Sequence, residues 1–299
     1  MIIPPYLKPG DKVSIVSPAK IILPKEIEFA IKELEKQGLV VELGKHTFSK
    51  WNRFAGSDEE RISDVQNALD NLDIKAIFFA RGGYGSVRII DQLNFSRFIN
   101  FPKWLIGYSD ITVFHQHVNS VFNVATCHAT MPLNMQDKEL NKISTKQTLD
   151  LLFGNDLVIE TNYHPLNKTG KVQGKIVGGN LSVLCSLIGT NSFMSPKGKI
   201  LFIEDLCEEK YHLDRMMFQL KKSGYLQSLK GLIVGGFTNM TDVSGWFEKD
   251  SFELINDHVK GFDYPVTYDF PAGHISLNRP IIFGKNNELE VNSSGTVLK

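Results

Sequence analysis

Short apolar runs alternate with helically spaced apolar residues through the first half of the chain. Residues 13–17 have the pattern of a strand, and the apolar residues at 27, 30, 31 and 34 then share one helix face before Gly38. Residues 76–80 are apolar without alternation, which is typical of a strand covered on both faces, as in parallel sheets. This rhythm of strand and helix predicts an α/β fold.

The same rhythm recurs in further segments of the first half. Residues 40–43, 104–107 and 124–127 predict more strands of the same sheet. Ser57 and Glu60 have the spacing of a capping box, in which Ser57 begins a helix and Glu60 reaches back to it. The pattern predicts an N-terminal domain over residues 1–154, with a parallel sheet of the Rossmann or flavodoxin type.

The periodic pattern lapses between residues 155 and 174, where Asn, His, Pro, Lys, Thr and Gly recur, so this segment is predicted as a linker. Strand and helix patterns resume over residues 175–299. They comprise apolar runs at 175–177, 200–203 and 232–234, a helical pattern at 213–220 and an alternating segment at 289–291. We expect a second, smaller α/β domain here that is rich in β structure.

The charges of the 299-residue chain cancel, with 33 basic and 33 acidic residues. A chain without a net field has no general attraction for nucleic acid or an anionic membrane, so a small molecule or a second copy is the expected partner. No apolar run approaches the roughly 18 residues that span a bilayer, and the N-terminus lacks the pattern of a signal peptide. We therefore expect a soluble cytoplasmic protein.

Disulfide and metal chemistry find little support in the sequence. The three cysteines, Cys127, Cys185 and Cys207, are odd in number and far apart, which favours reduced thiols. His115 and His117 lie two residues apart on a predicted helix and therefore face different sides. We expect neither a metal site nor an organic cofactor.

The most informative segment is 104–112, where an apolar strand pattern breaks at Gly107 and Ser109 begins a helix pattern. A sharp strand-to-helix turn exposes the hydroxyl of its turn residue, beside helix amides that can stabilise a negative oxygen. Ser109 is therefore a candidate nucleophile, and the alternative is that it only caps the helix. Ile111 replaces the second glycine of the G-x-S-x-G elbow, which argues against an ordinary esterase or lipase.

Three glycines follow the strand pattern at 76–80, in the turn Arg-Gly-Gly-Tyr-Gly at 81–85. The carboxyl ends of parallel strands form ligand crevices, and Gly83 can direct its N–H at an oxyanion there. Three interpretations stay open from these residues: a tight turn alone, an oxyanion or substrate loop, and a phosphate-binding loop. The spacing matches neither a dinucleotide fingerprint nor a P-loop.

A carboxylate pair and a histidine in the second half offer complementary chemistry. Glu204 and Asp205 follow the strand pattern at 200–203, where a carboxylate can orient a histidine or merely cap the next helix. His274 lies in a loop, and an imidazole with a pKa of about 6.5 can act as a general base near neutrality. A serine in one domain and these groups in the other would meet only at an interdomain cleft, where active sites are common.

Five motifs, in order along the chain, resemble those of the LD-carboxypeptidases. They are the 81–85 turn, Gly-Tyr-Ser-Asp at 107–110, Gly-Gly-Asn-Leu at 178–181, Glu-Asp at 204–205 with Tyr211 and Asp214-Arg215 downstream, and Pro-Ala-Gly-His at 271–274. The resemblance extends from about Lys8 to Gly284. The family comprises serine peptidases of the muramoyltetrapeptide carboxypeptidase type and includes the microcin C immunity peptidases.

The resemblance implies a catalytic Ser-Glu-His triad formed by Ser109, Glu204 and His274. It also implies that the backbone N–H groups of Gly83 and Asp110 form the oxyanion hole. No metal or organic cofactor belongs to such a mechanism.

The resemblance further implies the substrate and the residues that contact it. The expected reaction is removal of the terminal D-alanine from a cytoplasmic muropeptide tetrapeptide during peptidoglycan recycling, by a homodimer. Arg81, Tyr84 and Asn180 are the expected substrate-binding residues, and the Arg81 guanidinium can grip both oxygens of a carboxylate. An outward-pointing, solvated Arg81 is the alternative.

Two other functions stay open at this point. The microcin branch of the family hydrolyses a peptidyl or aminoacyl nucleotide, and Trp246, within residues 241–246, can stack on an adenine or pack in the core. A protein of a different class, a non-catalytic binder of small molecules, would use the same cleft without turnover. Substrate cleavage that depends on Ser109 distinguishes the enzyme from the binder.

Overall fold

The computed structural model describes residues 1–243 and 245–299. In chain order, the strands are β1 (Lys12–Val16), β2 (Val40–Leu43), β3 (Ile74–Phe79), β4 (Trp104–Gly107), β5 (Thr126–His128), β6 (Ile159–Asn162), β7 (Gly170–Asn180), β8 (Ile200–Leu206), β9 (Gly231–Thr238), β10 (Val266–Thr267), β11 (Ile281–Phe283), β12 (Asn286–Asn292) and β13 (Gly295–Leu298). The helices are α1 (Glu28–Lys36), α2 (Asp58–Asp70), α3 (Ser86–Ile89), α4 (Ser96–Asn100), α5 (Thr112–His117), α6 (Glu139–Leu152), α7 (Leu181–Leu187), α8 (Lys210–Lys222) and α9 (Ser251–Val259). Within these described ranges, no helix is both long enough and apolar enough to cross a bilayer.

The first sheet has the strand order β11-β5-β4-β3-β1-β2. Strands β1 to β5 pair in parallel, and β11 joins the edge antiparallel to β5. The order β2-β1-β3-β4-β5 is that of flavodoxin-like sheets, in which the winding reverses between β1 and β3. The prediction of a parallel sheet of the Rossmann or flavodoxin type is confirmed.

The residues of the central strands explain why this sheet is covered on both faces. Every residue of β3 except Lys75 is buried, as is every residue of β4. Phe78 and Phe79 point to opposite faces and pack into separate apolar clusters. Helix α2 begins at the predicted capping box, where the Ser57 hydroxyl accepts a hydrogen bond from the N–H of Glu60.

The second sheet has the order β10-β9-β8-β7-β12-β13-β6. Strands β7 to β10 pair in parallel, whereas β12, β13 and β6 extend the sheet with antiparallel pairs. Apolar residues of α7, α8 and α9 pack with those of β8 and β9 in one buried cluster. A mixed α/β unit rich in β structure is what the sequence predicts for this half.

The structure differs from the sequence prediction in residues 155–174. This supposed linker contains β6 and the start of β7, which both belong to the second sheet. Among the described strands, β6 pairs only with β13, near the other end of the chain, and three of its four residues are partly or fully exposed. The polar composition therefore reflects a sheet edge, where one face meets solvent. Strand β11, from the C-terminal half, likewise completes the first sheet.

Candidate active site

Ser109 lies just beyond the carboxyl end of β4, where the chain turns from strand to helix. Tyr108 has extended backbone angles, but Ser109 has a φ of 65°. A left-handed conformation is uncommon for a residue with a side chain and costs about 1 kcal/mol or more. A 3₁₀ turn over Ser109–Ile111 leads into α5. The strained turn leaves Ser109 half-buried at the edge of the sheet.

The glycine turn after β3 lies directly against Ser109. A Cβ atom on Gly82 would lie 2.9 Å from Cβ and 3.2 Å from Oγ of Ser109, and 3.3 Å from the backbone N of Asp110. Any side chain at Gly82 would therefore displace the serine. Gly83 follows with a φ of 121°, a conformation that glycine adopts without strain. Gly82 thus lies beside both the Ser109 side chain and the backbone amide of Asp110, and Gly83 is the next residue of the turn.

Side chains of Asp110 and Arg61 hold the glycine turn in this position. The buried carboxylate of Asp110 accepts a hydrogen bond of 2.9 Å from the N–H of Ser86, and burial raises the pKa of this carboxyl. The Nη1 of Arg61 donates to the carbonyl oxygens of Pro18 and Gly85. These bonds connect the loops that follow β1, β3 and β4.

Replacement of Arg61 by methionine is expected to lower the free energy of unfolding by about 2–4 kcal/mol, because two buried carbonyl groups lose their donor. Denaturant unfolding measures this loss. Arg88→Met is the matched control: Arg88 binds the same Asp58, but its side chain is 39% exposed while that of Arg61 is 0% exposed. We expect the control to cost less than about 1 kcal/mol, and equal losses would contradict the anchoring role of Arg61.

The alternation of β8 directs Glu204 toward the first sheet. Phe202, two residues earlier on the same face, packs on His128 of β5 with ring centroids 4.9 Å apart. The register of β8 against β9 shifts at Glu204, and such a bulge re-aims a side chain. Gly273 permits a close approach, since a Cβ there would lie 2.8 Å from Oε2 of Glu204. The Glu204 side chain is 0% exposed as a result.

His274 connects Ser109 to Glu204. Its Nε2 lies 3.0 Å from the Oγ of Ser109, and its Nδ1 lies 2.6 Å from Oε2 of Glu204. The ring packs against Tyr108 at a centroid distance of 4.8 Å, and the Thr238 hydroxyl donates to the His274 carbonyl oxygen. A hydroxyl, an imidazole and a buried carboxylate in this order can move a proton from oxygen to nitrogen while the carboxylate stabilises the imidazolium.

The charges around His274 favour its protonated form. Burial by itself lowers the pKa of this imidazole, but the charge and hydrogen bond of Glu204, with the charge of Asp205, outweigh burial and raise the pKa above its ordinary value. Burial, followed by the charge of Glu204, raises the pKa of Asp205 to about 7. His274 therefore keeps its proton to a higher pH than a histidine in water.

Arg81 and Tyr84 border the site on the side of the glycine turn. The Nη1 of Arg81 donates to the carbonyl oxygen of Ile21 at 3.0 Å. The Tyr84 side chain is 49% exposed, and its ring lies 5.9 Å from that of Phe54, which stacks on Trp51 at 6.0 Å. Contact of Arg81 and Tyr84 with a substrate stays a prediction.

Asn180 lies at the end of β7 and is 3% exposed. Its Nδ2 donates to Asp205 at 2.8 Å, and its Oδ1 caps α7 by accepting from the N–H of Val183 at 3.2 Å. Its own N–H donates to the Thr112 hydroxyl on α5, which joins the second sheet to the helix after Ser109. These bonds make Asn180 a positioning residue, and its predicted contact with substrate stays untested.

Two residues that contact the candidate catalytic groups, and a third that acts on His274 only through its charge, were not among the predicted site residues. Gly82 touches Ser109, the Tyr108 ring packs on His274, and Asp205 contributes charge to the same imidazole. Each is a chain neighbour of a residue that was predicted, so adjacency was the available signal. Adjacency alone does not reveal which neighbours face the site.

Two further expectations concern groups away from this cluster. Trp246 is 74% exposed, with its ring 6.3 Å from that of Tyr211, and Ser244 of the same segment lies outside the described residues. Across residues 1–243 and 245–299, no three His, Cys, Asp or Glu side chains converge in a way that could hold a metal ion.

Two family models match this chain. One, described as the LD-carboxypeptidase N-terminal domain, matches residues 13–129, and the other, the LD-carboxypeptidase C-terminal domain, matches residues 173–289. A probable murein peptide carboxypeptidase of Bacillus subtilis is 34% identical over 287 residues, which cover 94% of this chain and 89% of the relative. The chain belongs to the LD-carboxypeptidase family.

Other relatives of this LD-carboxypeptidase are named either as murein peptidases or as a microcin immunity protein. A murein tetrapeptide carboxypeptidase of Pseudomonas aeruginosa is 30% identical, and the match covers 94% of each chain. The microcin C7 self-immunity protein MccF of Escherichia coli is 24% identical, over 89% of this chain and 86% of MccF. This LD-carboxypeptidase is thus similar to both a murein peptidase and an immunity protein.

Solved structures have the same fold as this LD-carboxypeptidase. The muramoyltetrapeptide carboxypeptidase of Oxalobacter formigenes superposes with a TM-score of 0.86 and 25% identity, over 96% of this chain and 97% of that one. MccF in complex with glutamyl sulfamoyl guanosine superposes with a TM-score of 0.89 and 19% identity, over 100% and 98% of the two chains. The second likeness shows the fold alone.

Proposed function

We propose that this LD-carboxypeptidase is a serine peptidase that releases the terminal D-alanine from muropeptide tetrapeptides. The observation that carries the proposal is the pair of hydrogen bonds that joins Ser109 through His274 to Glu204. The names of relatives support the substrate class, since the Pseudomonas aeruginosa protein is a murein tetrapeptide carboxypeptidase. Ser109 is the nucleophile, His274 the general base and Glu204 the group that orients the imidazole.

In the first half of the reaction, the Ser109 oxygen attacks the carbonyl carbon of the scissile peptide bond while Nε2 of His274 takes the hydroxyl proton. The N–H groups of Gly83 and Asp110 donate to the resulting oxyanion. The imidazolium, stabilised by Glu204, then gives its proton to the leaving nitrogen. The C–N bond breaks, and D-alanine leaves with a neutral amine.

In the second half, water replaces the departed amino acid. His274 takes a proton from the water as its oxygen attacks the ester carbon of the acyl-enzyme, and the oxyanion returns to the same two N–H groups. Collapse of this intermediate breaks the bond to Ser109, whose oxygen recovers the proton from His274. The products are D-alanine and the shortened peptide.

The dependence of activity on pH follows from the charge around His274. The base must be neutral to accept the Ser109 proton, and Glu204 raises its pKa. We therefore expect kcat/KM to fall as the pH drops and to rise through an apparent midpoint above about 6.5, the ordinary pKa of histidine. Initial rates from about pH 5 to about pH 9 measure this profile. A midpoint below the ordinary value would contradict the proposed charge balance.

The proposal extends to the setting of the enzyme. We propose that it works in the cytoplasm, in peptidoglycan recycling, as a homodimer and without contact to nucleic acid or membrane. Its equal numbers of acidic and basic residues support a small peptide rather than a polyanion as partner. Residues 1–154, with Ser109, and residues 159–299, with Glu204 and His274, are the two proposed domains, and the second includes β6 and all of β7.

A second candidate function is hydrolysis of an aminoacyl or peptidyl nucleotide, as in microcin self-immunity. The similarity to MccF over 89% of this chain favours it, and the exposed ring of Trp246 is available to stack on a nucleobase. The murein peptidases are more similar to this chain, at 34% and 30% identity against 24% for MccF. The peptidase is therefore the function that we propose first.

One experiment tests both functions and the alternative of a non-catalytic binder. The protein is incubated separately with muramoyl-tetrapeptide and with an aminoacyl sulfamoyl adenylate, and mass spectrometry follows the products. We expect a mass loss of one alanine residue from the tetrapeptide and no cleavage of the adenylate. Cleavage of the adenylate alone would favour the immunity function. Binding of the tetrapeptide without turnover would favour the binder and overturn the proposal.

A further inference from the structure

Two loops meet at the carboxyl edge of the first sheet, where the winding reverses between β1 and β3. Open α/β sheets bind their ligands at this point. Lys20 lies in the loop after β1, and Gly82 and Gly83 lie in the loop after β3. Ser109 follows β4, the next strand along. Lys20 therefore lies at the ligand crevice of the fold, next to the glycine turn.

The Lys20 side chain packs over Gly83. A Cβ atom on Gly83 would lie 2.5 Å from Cδ, 2.8 Å from Cγ and 3.2 Å from Cε of Lys20, so the alkyl stem runs along the glycine backbone. Gly83 supplies one of the two proposed oxyanion donors, and Gly82 touches Ser109. The stem of Lys20 thus ends beside the position where the scissile carbonyl would lie.

The backbone of Lys20 is held on both sides. Lys20 itself forms an antiparallel bridge with Phe54, and Arg81 donates a hydrogen bond of 3.0 Å to the carbonyl oxygen of Ile21. Lys20 is also half-buried. These contacts fix the base of its side chain against the glycine turn. Binding of a ligand to the ammonium therefore costs little additional side-chain entropy.

The Lys20 ammonium has no acidic partner in the described part of the chain. The neighbouring arginines, in contrast, have partners within the protein. Arg61 and Arg88 both pair with Asp58, and Arg81 donates to a carbonyl group. No ion pair or side-chain hydrogen bond joins Lys20 to another described residue. The positive charge of this half-buried lysine, beside the proposed oxyanion hole, is therefore available to an anion that the protein does not itself supply.

We propose that Lys20 binds the free α-carboxylate of the terminal residue that the enzyme removes. This inference rests on the proposed function and specifies the recognition of its substrate. Consecutive residues of a peptide lie 3.8 Å apart between Cα atoms, so this carboxylate sits about one residue from the scissile carbonyl. The Cε of Lys20 lies 3.2 Å from the position that a Cβ atom on Gly83 would take, and the ammonium is one bond beyond Cε. Recognition of the carboxylate restricts cleavage to the last peptide bond, and Arg81 positions Lys20 instead of gripping the carboxylate.

The test compares a tetrapeptide that has a free C-terminal carboxylate with the same peptide as its C-terminal amide. Binding to the Ser109→Ala variant is measured by calorimetry, so that turnover does not interfere. We expect the acid to bind about 10- to 100-fold more tightly than the amide, as for a charge-assisted hydrogen bond. Adding Lys20→Met should remove this preference by weakening the acid alone, and Lys20→Arg should restore most of it.

Arg81→Met in the same background is the matched control, since the family resemblance makes Arg81 an expected substrate-binding residue. Because Arg81 acts only through the backbone next to Lys20, we expect this change to leave most of the preference for the acid, whereas Lys20→Met removes the preference. A preference that survives Lys20→Met, or one that Arg81→Met abolishes, overturns the inference. Equal binding of acid and amide before any change at Lys20 overturns it as well. Release of D-alanine by the wild-type enzyme is measured separately, so these results leave the proposed function standing.

Discussion

Replacement of Ser109 by alanine is expected to lower kcat for D-alanine release by about 10³- to 10⁶-fold. Alanine has no oxygen to attack the scissile carbonyl, and His274 then has no proton to take at 3.0 Å. The backbone donors of Gly83 and Asp110 remain, so a small rate above that of water can persist. Single-turnover release of D-alanine from muramoyl-tetrapeptide measures the loss.

A matched control distinguishes loss of the nucleophile from a general effect of replacing a serine near the site. Ser276→Ala changes an exposed serine two residues after His274, in the same loop. We expect its kcat to stay within about threefold of the wild type, as for a surface substitution. If Ser109→Ala keeps more than about one-hundredth of the wild-type rate, another group is the nucleophile and the proposed mechanism fails.

Replacement of Glu204 by glutamine is expected to lower kcat by about 10³- to 10⁴-fold. The carboxylate lies 2.6 Å from Nδ1 of His274 with its side chain 0% exposed, so water cannot replace the lost charge. A neutral amide neither stabilises the imidazolium nor fixes the tautomer that presents Nε2 to Ser109. The pH midpoint of the residual activity should also fall, because Glu204 raises the pKa of His274.

Asp205→Asn provides the control for Glu204→Gln. Asp205 is the next residue, is 1% exposed, and bonds to Asn180 and to the N–H of Ser182. It has no direct contact with the His274 ring, so we expect a loss in kcat of less than about tenfold per folded molecule. Circular dichroism and thermal unfolding report the folded fraction of each variant. Equal losses at both positions would contradict the orienting role of Glu204. They would show that any change to a buried charge at this strand end lowers the activity.

Local patterns predicted the elements whose residues bury both faces or carry their own caps. Strand β3 follows from an uninterrupted apolar run, and α2 follows from Ser57 and Glu60. The linker prediction for residues 155–174 missed β6, because an edge strand resembles a loop in composition. Its partner β13 lies at the far end of the chain, beyond the reach of any local signal.

The candidate site divides in the same way. The elbow at Ser109 and the glycine turn at 81–85 depend on neighbouring residues, and the sequence indicates both. The contact of Gly82 with Ser109 and the stem of Lys20 over Gly83 depend on how the loops after β1, β3 and β4 pack together. Arg81 illustrates the limit, since its residue type suggests a carboxylate partner while its Nη1 donates to Ile21.

The sequence by itself determined the α/β class, the family and the chemical groups available: a serine at a strand-to-helix turn, a carboxylate at a strand end and a histidine in a loop. Only the tertiary structure decided that His274 lies between Ser109 and Glu204, from which it is 165 and 70 residues distant along the chain. The physical reason is the distance along the chain over which each kind of interaction acts. Propensities and turns act over a few residues, whereas two sheets must pack before hydrogen bonds of 2.6 and 3.0 Å join their loops.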